Sequence, residues 1–123
     1  MGIPQQTVYA GTKAALEGIA KVWATEFGHK YGITVNCVAP GPVATDMWTE
    51  CEPDVVAELQ PSIDATPAAA RVGEVSDIVP IVSWVAPGDE EVIADSLRSF
   101  LCSEESRWVT GSTISASGGM SFI

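Results

Sequence analysis

A tyrosine and a lysine early in the chain, Tyr9 and Lys13, have the spacing of a proton-transfer unit. They are four residues apart, so one helical turn of about 3.6 residues places both side chains on the same face. A free tyrosine has a pKa of about 10 and is a poor base at neutral pH. An ammonium group about 4 Å away favours the phenolate by roughly 4 kcal/mol at an effective dielectric constant of about 20. The pair is therefore a candidate catalytic acid/base, although the same spacing is also typical of unrelated surface neighbours.

A long helix is predicted to carry this pair. Apolar residues recur at steps of three and four, which indicates an amphipathic helix from residue 9 to about residue 31. The residues of this apolar stripe are Leu16, Ile19, Ala20, Trp23 and Phe27. Gly28 and Gly32 are expected to mark the end of the helix.

Two short segments predict strands of a parallel sheet. Residues 33–39 are β-branched and nearly all apolar or small, which indicates a strand that is buried on both faces and stops at Pro40-Gly41-Pro42. Residues 112–116 indicate a second strand, closed by Gly118-Gly119. The order of the elements implies a parallel pair joined by a crossover. Because two strands are too few for a sheet with its own core, the chain is expected to be half of an α/β domain.

The segment between the two strands is expected to contain further helices. Residues 45–71 are acidic and interrupted by prolines, which predicts an excursion outside the core with one helical piece near residues 54–59. Ser76 and Asp77 are expected to cap another helix over residues 78–84.

Composition excludes several classes of function. The 123 residues fit one domain or part of one, and the net charge of −10 argues against nucleic acid or an anionic membrane surface as a partner. No apolar stretch reaches the length of a membrane span, and no secretory signal is visible. The three cysteines have no metal-like spacing, so no metal site is expected and a reduced, cytoplasmic setting is the simplest interpretation.

Several motifs, in order along almost the whole chain, resemble the short-chain dehydrogenase/reductase family. The first is Tyr9-x-x-x-Lys13, and the second is Val35-Asn36-x-Val38-x-Pro40-Gly41-Pro42-Val43-x-Thr45. The others are Arg71-Val-Gly73, Asp77-Ile78, Ser103-Glu-Glu-Ser106-Arg-Trp108-Val-Thr110-Gly111 and Gly118-Gly119. The resemblance implies the C-terminal part of a Rossmann-like, doubly wound parallel sheet without its N-terminal strands. Residues 1–123 would then form part of an NAD(P)-binding domain.

The resemblance also implies roles for individual residues. Tyr9 corresponds to the catalytic acid, and Lys13 corresponds to the residue that supports the tyrosine and holds the nicotinamide ribose, so both also contact the cofactor. A loop that contacts the nicotinamide end of the cofactor corresponds to Pro40, Gly41, Val43 and Thr45, although a rigid turn after a strand would look the same. Met47 and Trp48 correspond to the substrate lid, or else they anchor a loop by burying apolar surface.

The implied activity is hydride transfer between NAD or NADP and a small-molecule carbonyl or secondary alcohol. The nearest subclass is the 3-oxoacyl-carrier-protein reductases, and a full-length relative would be a homo-oligomer. The alternative is a catalytically inactive fragment or an interaction protein that keeps only the family's subunit-contact helix, with Trp23 and Phe27 on it. This alternative arises because the sequence has no Gly-x-Gly turn for the cofactor, and the family's catalytic serine would lie before Met1.

Residues 84–99 depart from the family pattern. Joining Ser83 to Phe100 restores Ile-Val-Ser-Phe-Leu-Cys-Ser-Glu-Glu-Ser, which predicts an in-frame insertion of 16 residues. Two interpretations stay open: retained non-coding sequence, or an inserted surface loop. A smaller departure is Ser117, which stands where relatives often have Asp.

Overall fold

A computed structural model of the chain describes residues 6–82 and 100–121. The elements, in chain order, are α1 (Thr7–Tyr31), β1 (Cys37–Pro40), α2 (Asp46–Thr49), α3 (Pro53–Asp64), α4 (Val75–Val82), two short 3₁₀ helices (Phe100–Cys102 and Glu104–Ser106) and β2 (Thr113–Ala116). The α/β fold class with a small parallel sheet is as predicted. The predicted insertion at residues 84–99 lies outside the described residues.

Helix α1 confirms the prediction of a long helix that carries Tyr9 and Lys13. It ends as expected at Gly32, which has a positive φ of 65° and donates its N–H to the carbonyl of Gly28 at 2.8 Å. This left-handed residue is a common helix C-cap because glycine has no Cβ to clash. Gly28 lies in the last turn of the helix, and its carbonyl accepts the N–H groups of both Gly32 and Ile33.

Small side chains bring α1 close to the sheet. Ala20 is buried, and the Cβ of Ala24 lies 3.6 Å from the point where a Cβ on Gly111 would stand. The larger members of the apolar stripe stay outside this contact, and Leu16 and Trp23 are about half exposed. The stripe is therefore only partly covered in the described part of the chain.

The two strands pair in parallel, as predicted, with Cys37 opposite Thr113 and Pro40 opposite Ala116. Strand β1 starts later than the predicted span of residues 33–39, because the chain before Cys37 bonds to the other segment mainly through the side chains of Asn36 and Thr110. The residues of β1 are half-buried or exposed. Burial on both faces was therefore a wrong expectation for the described part of the chain, where few elements are available to cover the sheet.

Residues 45–71, between the two strands, were predicted to lie outside the core, and this prediction was wrong. Helix α3 is twice the expected length, and it begins with Pro53, whose missing N–H costs nothing in the first turn. Ile63 near its end is 3% exposed, and Thr66 just beyond it is also buried. Next to them, the N–H of Ala68 donates to the carbonyl of Gly118 at 2.9 Å. The end of the excursion thus packs on the turn that follows β2.

Helix α4 begins at Val75, three residues before the predicted start at Ile78. The side chain of Asp77 was expected to cap a helix that begins at Ile78, but Asp77 lies inside the first turn of α4. Instead, its Oδ2 accepts the backbone N–H of Glu74 at 2.7 Å, in the manner of an acidic residue that reaches back over the first turn. Pro80 lies inside the helix.

Candidate functional site

Tyr9 and Lys13 lie one turn apart on α1, and their side chains meet. The Lys13 Nζ atom lies 5.3 Å from the centroid of the Tyr9 ring. An ammonium within about 6 Å of an aromatic face is attracted by the negative charge of the π system. The Tyr9 side chain is exposed, so its hydroxyl is accessible to a small molecule. The arrangement can support proton transfer at the phenol with a cation beside it.

The loops that follow the two strands come together at one edge of the sheet. The N–H of Gly41 donates to the carbonyl of Ala116 at 3.4 Å. A Cβ on Gly41 would stand only 3.3 Å from the Cα and Cβ atoms of Ser117. Glycine at this position therefore lets the two loops approach closely. The carboxyl ends of parallel strands are where open α/β sheets bind their ligands.

The loop after β1 is fixed on a second backbone segment around Gly73. The N–H of Gly73 donates to the carbonyl of Pro42 at 2.9 Å, and the N–H of Ala44 donates to the carbonyl of Gly73 at 2.8 Å. These two bonds make a short parallel bridge between Val43 and Gly73.

Of the six residues predicted to contact the cofactor, the four that are not on α1 lie on one stretch of backbone. Pro40 is the last residue of β1, Gly41 and Val43 lie in the loop after it, and Thr45 directly precedes α2. The backbone N–H of Thr45 donates to the carbonyl of Val43 at 2.8 Å, which tightens the turn into the helix.

Met47 and Trp48, the predicted lid residues, lie on α2 immediately after this loop. Met47 is 83% exposed, so it buries too little surface to anchor the loop. Trp48 is half-buried, which agrees with the anchoring interpretation for this residue.

A cleft of about 290 Å³ opens at the strand ends. Both loops contribute to its wall through Gly41, Pro42, Ser117 and Gly118, and other lining residues come from the segment before α4 and from α4 itself. Tyr9, Lys13, Val43 and Thr45 do not line this cleft. Part of the predicted cofactor loop therefore lines the cleft, whereas Tyr9 and Lys13 do not.

An ion pair beside this cleft was not identified from the sequence. Arg71 donates to Asp77 through both terminal nitrogens, at 2.8 Å to Oδ2 and at 3.3 Å to Oδ1. The hydrogen bonds from Arg71, and then the one from the N–H of Glu74, hold the pKa of Asp77 below its ordinary value. The same pairing raises the pKa of Arg71. The only sequence signal was that both residues belong to family-like motifs, since their spacing of six residues matches no helix face.

A cluster of serine hydroxyls was also missed. Ser117 is buried, and its Oγ lies 2.9 Å from the Oγ of Ser115. Both hydroxyls donate to the carbonyl of Ser121, and Ser117 also accepts the N–H of Ser121. The hydroxyl at position 117 therefore holds the Gly118-Gly119 turn in shape.

In the ranges 6–82 and 100–121, no three His, Cys, Asp or Glu side chains come together as a group that could hold a metal ion. No helix in those same ranges has the length and apolar character needed to cross a membrane.

Known proteins resemble this chain along almost its whole length. Residues 1–94 match the family described as enoyl-(acyl carrier protein) reductase. The chain is 45% identical to the short-chain dehydrogenase/reductase FrzI of Cladobotryum sp., with 97% of this chain and 41% of that protein covered. It is 38% identical to the L-xylo-3-hexulose reductase of Hypocrea jecorina, with 98% of this chain and 43% of that protein covered.

Among solved structures, the chain resembles the 3-oxoacyl-[acyl-carrier protein] reductase of Brucella melitensis. The TM-score is 0.62 at 35% sequence identity, over 94% of this chain and 35% of that one. The chain thus spans about two fifths of the length of the curated relatives named above.

Proposed function

Because the chain belongs to the short-chain dehydrogenase/reductase family, we propose that it supplies the acid/base pair and the nicotinamide-side loop of an NAD(P)-dependent oxidoreductase. The reaction is hydride transfer between NAD or NADP and the carbonyl or secondary alcohol of a small molecule. The observation that carries the proposal is the Lys13 ammonium over the ring of the exposed Tyr9. The names of two relatives, a hexulose reductase and a 3-oxoacyl-carrier-protein reductase, support a carbonyl substrate.

The residues present fit one end of a nicotinamide dinucleotide. Tyr9 and Lys13 offer an exposed hydroxyl and an ammonium to ribose hydroxyls, and Gly41 lines the cleft with backbone alone, because it has no side chain. The sequence contains no Gly-x-Gly turn that would let the backbone approach a pyrophosphate at a helix N-terminus. The proposal therefore assigns only the nicotinamide and ribose end of the cofactor to these residues. When bound, the cofactor supplies or accepts the hydride.

The proton is handled by the chain's own side chains. In reduction, the Tyr9 hydroxyl gives its proton to the carbonyl oxygen, and the Lys13 ammonium stabilises the phenolate that remains. In oxidation the phenolate takes the proton from the alcohol. The Pro40–Thr45 segment would hold the nicotinamide end of the cofactor, and Met47 on α2, which is 83% exposed, would cover the substrate with the half-buried Trp48 anchoring the helix beneath it.

The test is a titration of the purified 123-residue chain with NADH and with NADPH, followed by a ketone-reduction assay. Tyr9→Phe is expected to abolish turnover, because it removes the proton donor, and to weaken cofactor binding far less, because Lys13 still faces the ribose. Tyr31→Phe is the matched control, since Lys30 Nζ lies 4.9 Å from the Tyr31 ring on the same helix. Equal turnover of Tyr9→Phe and Tyr31→Phe would overturn the proposal.

A second candidate is an interaction protein without catalysis, which keeps the family's subunit-contact helix. The observation in its favour is the exposure of large apolar side chains on α1, with Leu16 and Val22 each more than half exposed. On this alternative a second copy of the chain covers α1. Sedimentation of the wild-type chain and of Trp23→Ala would then give a dimer and a monomer, neither of which binds NAD(P)H.

A cytoplasmic setting completes the proposal. Cys37, Cys51 and Cys102 all lie in described residues, and all three are free thiols. Thiols without disulfide partners suit a reducing compartment. Imaging a fluorescently tagged chain in its own cells tests this assignment, and a signal confined to an organelle would contradict it.

A further inference from the structure

We propose that Arg71 and Asp77 are positioning residues that hold the backbone of Gly73 against the loop of residues 42–44. The significance of that loop for the cofactor rests on the function proposed above. The positioning itself rests only on the contacts of the described residues.

The ion pair closes a tight turn around Gly73. Arg71 binds both carboxylate oxygens of Asp77 and also donates to the carbonyl of Val72 at 2.8 Å. Asp77 in turn accepts the backbone N–H of Glu74. Each of these bonds begins and ends between residues 71 and 77, so together they fix the path of the backbone through position 73.

The same turn supports the loop after β1. The carbonyl and the N–H of Gly73 bond to Ala44 and Pro42, one on each side of Val43. A Cβ on Gly73 would stand 3.4 Å from the carbonyl oxygen of Pro42, so the two backbones lie in direct contact. A displacement of the turn therefore moves the loop with it.

The pair and the loop also share one cleft. Arg71 and Asp77 line it together with Gly41, Pro42 and Gly73. About half of each charged side chain is exposed. Exposed ion pairs add little to global stability, so loss of this pair is expected to act locally, on the loop that it positions.

The experiment is amide hydrogen exchange, measured residue by residue by NMR on the full chain. In Arg71→Ala the amides of Ala44 and Gly73 are expected to exchange about threefold to fivefold faster, which corresponds to the upper part of the range for an exposed pair. The reference is the amide of Gly111, which donates to Val35 at 2.7 Å in another part of the structure. Its exchange is expected to stay unchanged.

Two further variants separate positioning from general loss of structure. Arg71→Lys keeps the charge but cannot form the two-pronged contact, so it is expected to restore protection only in part. Arg107→Ala is the matched control, because the Arg107 guanidinium donates to the nearby carbonyl of Glu104, at 3.1 Å. It is expected to leave Ala44 and Gly73 protected.

A failure of the positioning proposal can be distinguished from a failure of the proposed function. The positioning proposal is wrong if Ala44 and Gly73 are unprotected in the wild-type chain, or equally protected in Arg71→Ala. It is also wrong if Gly111 loses protection to the same extent, because the effect would then be general unfolding. Failure of the wild-type chain to bind NAD(P)H contradicts the proposed function alone, since the exchange rates report the loop without any cofactor.

Discussion

The side-chain amide of Asn36 donates a hydrogen bond of 2.8 Å to the carbonyl of Val109, across 73 residues of sequence. The Oδ1 atom of the same amide accepts the N–H of Ser112 at 3.2 Å. Asn36 therefore holds the segment before β2 from both sides and sets the parallel register before the strands begin. This contact explains why β1 starts only at Cys37.

Replacing Asn36 by alanine is expected to lower the free energy of unfolding by about 1–3 kcal/mol, because it leaves the partly buried carbonyl of Val109 without this partner. Urea denaturation measures the change. Gln60→Ala is the control, since its amide donates to the exposed Asp64 one helical turn away, and it should change stability by less than about 0.5 kcal/mol. Equal effects of the two substitutions would contradict the role given to Asn36.

Gly118→Ala is expected to destabilise the chain by about 1–3 kcal/mol. Its φ is 64°, and the added Cβ would stand 2.9 Å from the Cγ2 of Thr66. Gly18→Ala is the matched control on α1, where nothing lies within 4 Å of the added Cβ. There alanine should stabilise the chain by about 0.5–1 kcal/mol, because it is the better helix former. Thermal unfolding of both variants checks the opposite signs.

The ion pair between Arg71 and Asp77 makes stability depend on pH in a defined direction. Because the pKa of Asp77 is lowered on folding, its pairing stabilises the native state above the ordinary carboxyl value of 3.8. That contribution is lost as the pH falls through the lower, folded-state pKa. Asp77→Asn should therefore be only slightly less stable than wild type at pH 7, as expected for an exposed pair, and the difference should shrink toward pH 2. Urea midpoints across this range measure it, and a difference that stays constant would contradict the assignment.

Lys13→Ala is expected to weaken both NAD(P)H binding and turnover, because it removes the ammonium that supports the phenolate and faces the ribose in the proposed site. The loss in turnover should be roughly 100-fold or more, a size typical of acid/base groups. Lys30→Ala removes a cation from the other lysine–tyrosine contact on α1 and should leave both quantities unchanged. Equal losses of binding and turnover in the two variants would contradict the role given to Lys13, because the effect would then come from net charge alone.

The features that the sequence predicted depend on local chemistry. The spacing of Tyr9 and Lys13 defines a helix face, and Gly32 is a common helix terminator because of its freedom to adopt positive φ. The parallel pair followed from two short strand-like segments, residues 33–39 and 112–116, separated by helical sequence. Each of these sequence signals lies within a few consecutive residues. Contacts with distant parts of the chain therefore changed these predicted elements little.

The features that the sequence did not predict depend on distant partners. Ile63 is buried because α3 returns to the turn after β2, and nothing in the acidic, proline-containing segment around it indicates that return. The true start of α4 depends on Asp77 bonding to Glu74 rather than capping forward. The Arg71–Asp77 pair forms across a turn whose shape depends on the neighbouring loop.

The close approach of Gly41 and Ser117 has a consequence for how this site can vary among homologous chains. The two loops share a gap with room for a hydrogen atom at position 41 but little room for a methyl group. The size of the residue at one position therefore limits the other: an alanine at 41 requires the backbone at 117 to withdraw by a few tenths of an ångström. Such a withdrawal would strain the serine hydroxyls that hold the Gly118-Gly119 turn. Position 41 should thus stay glycine in any homologous chain whose backbone at 117–119 follows this path.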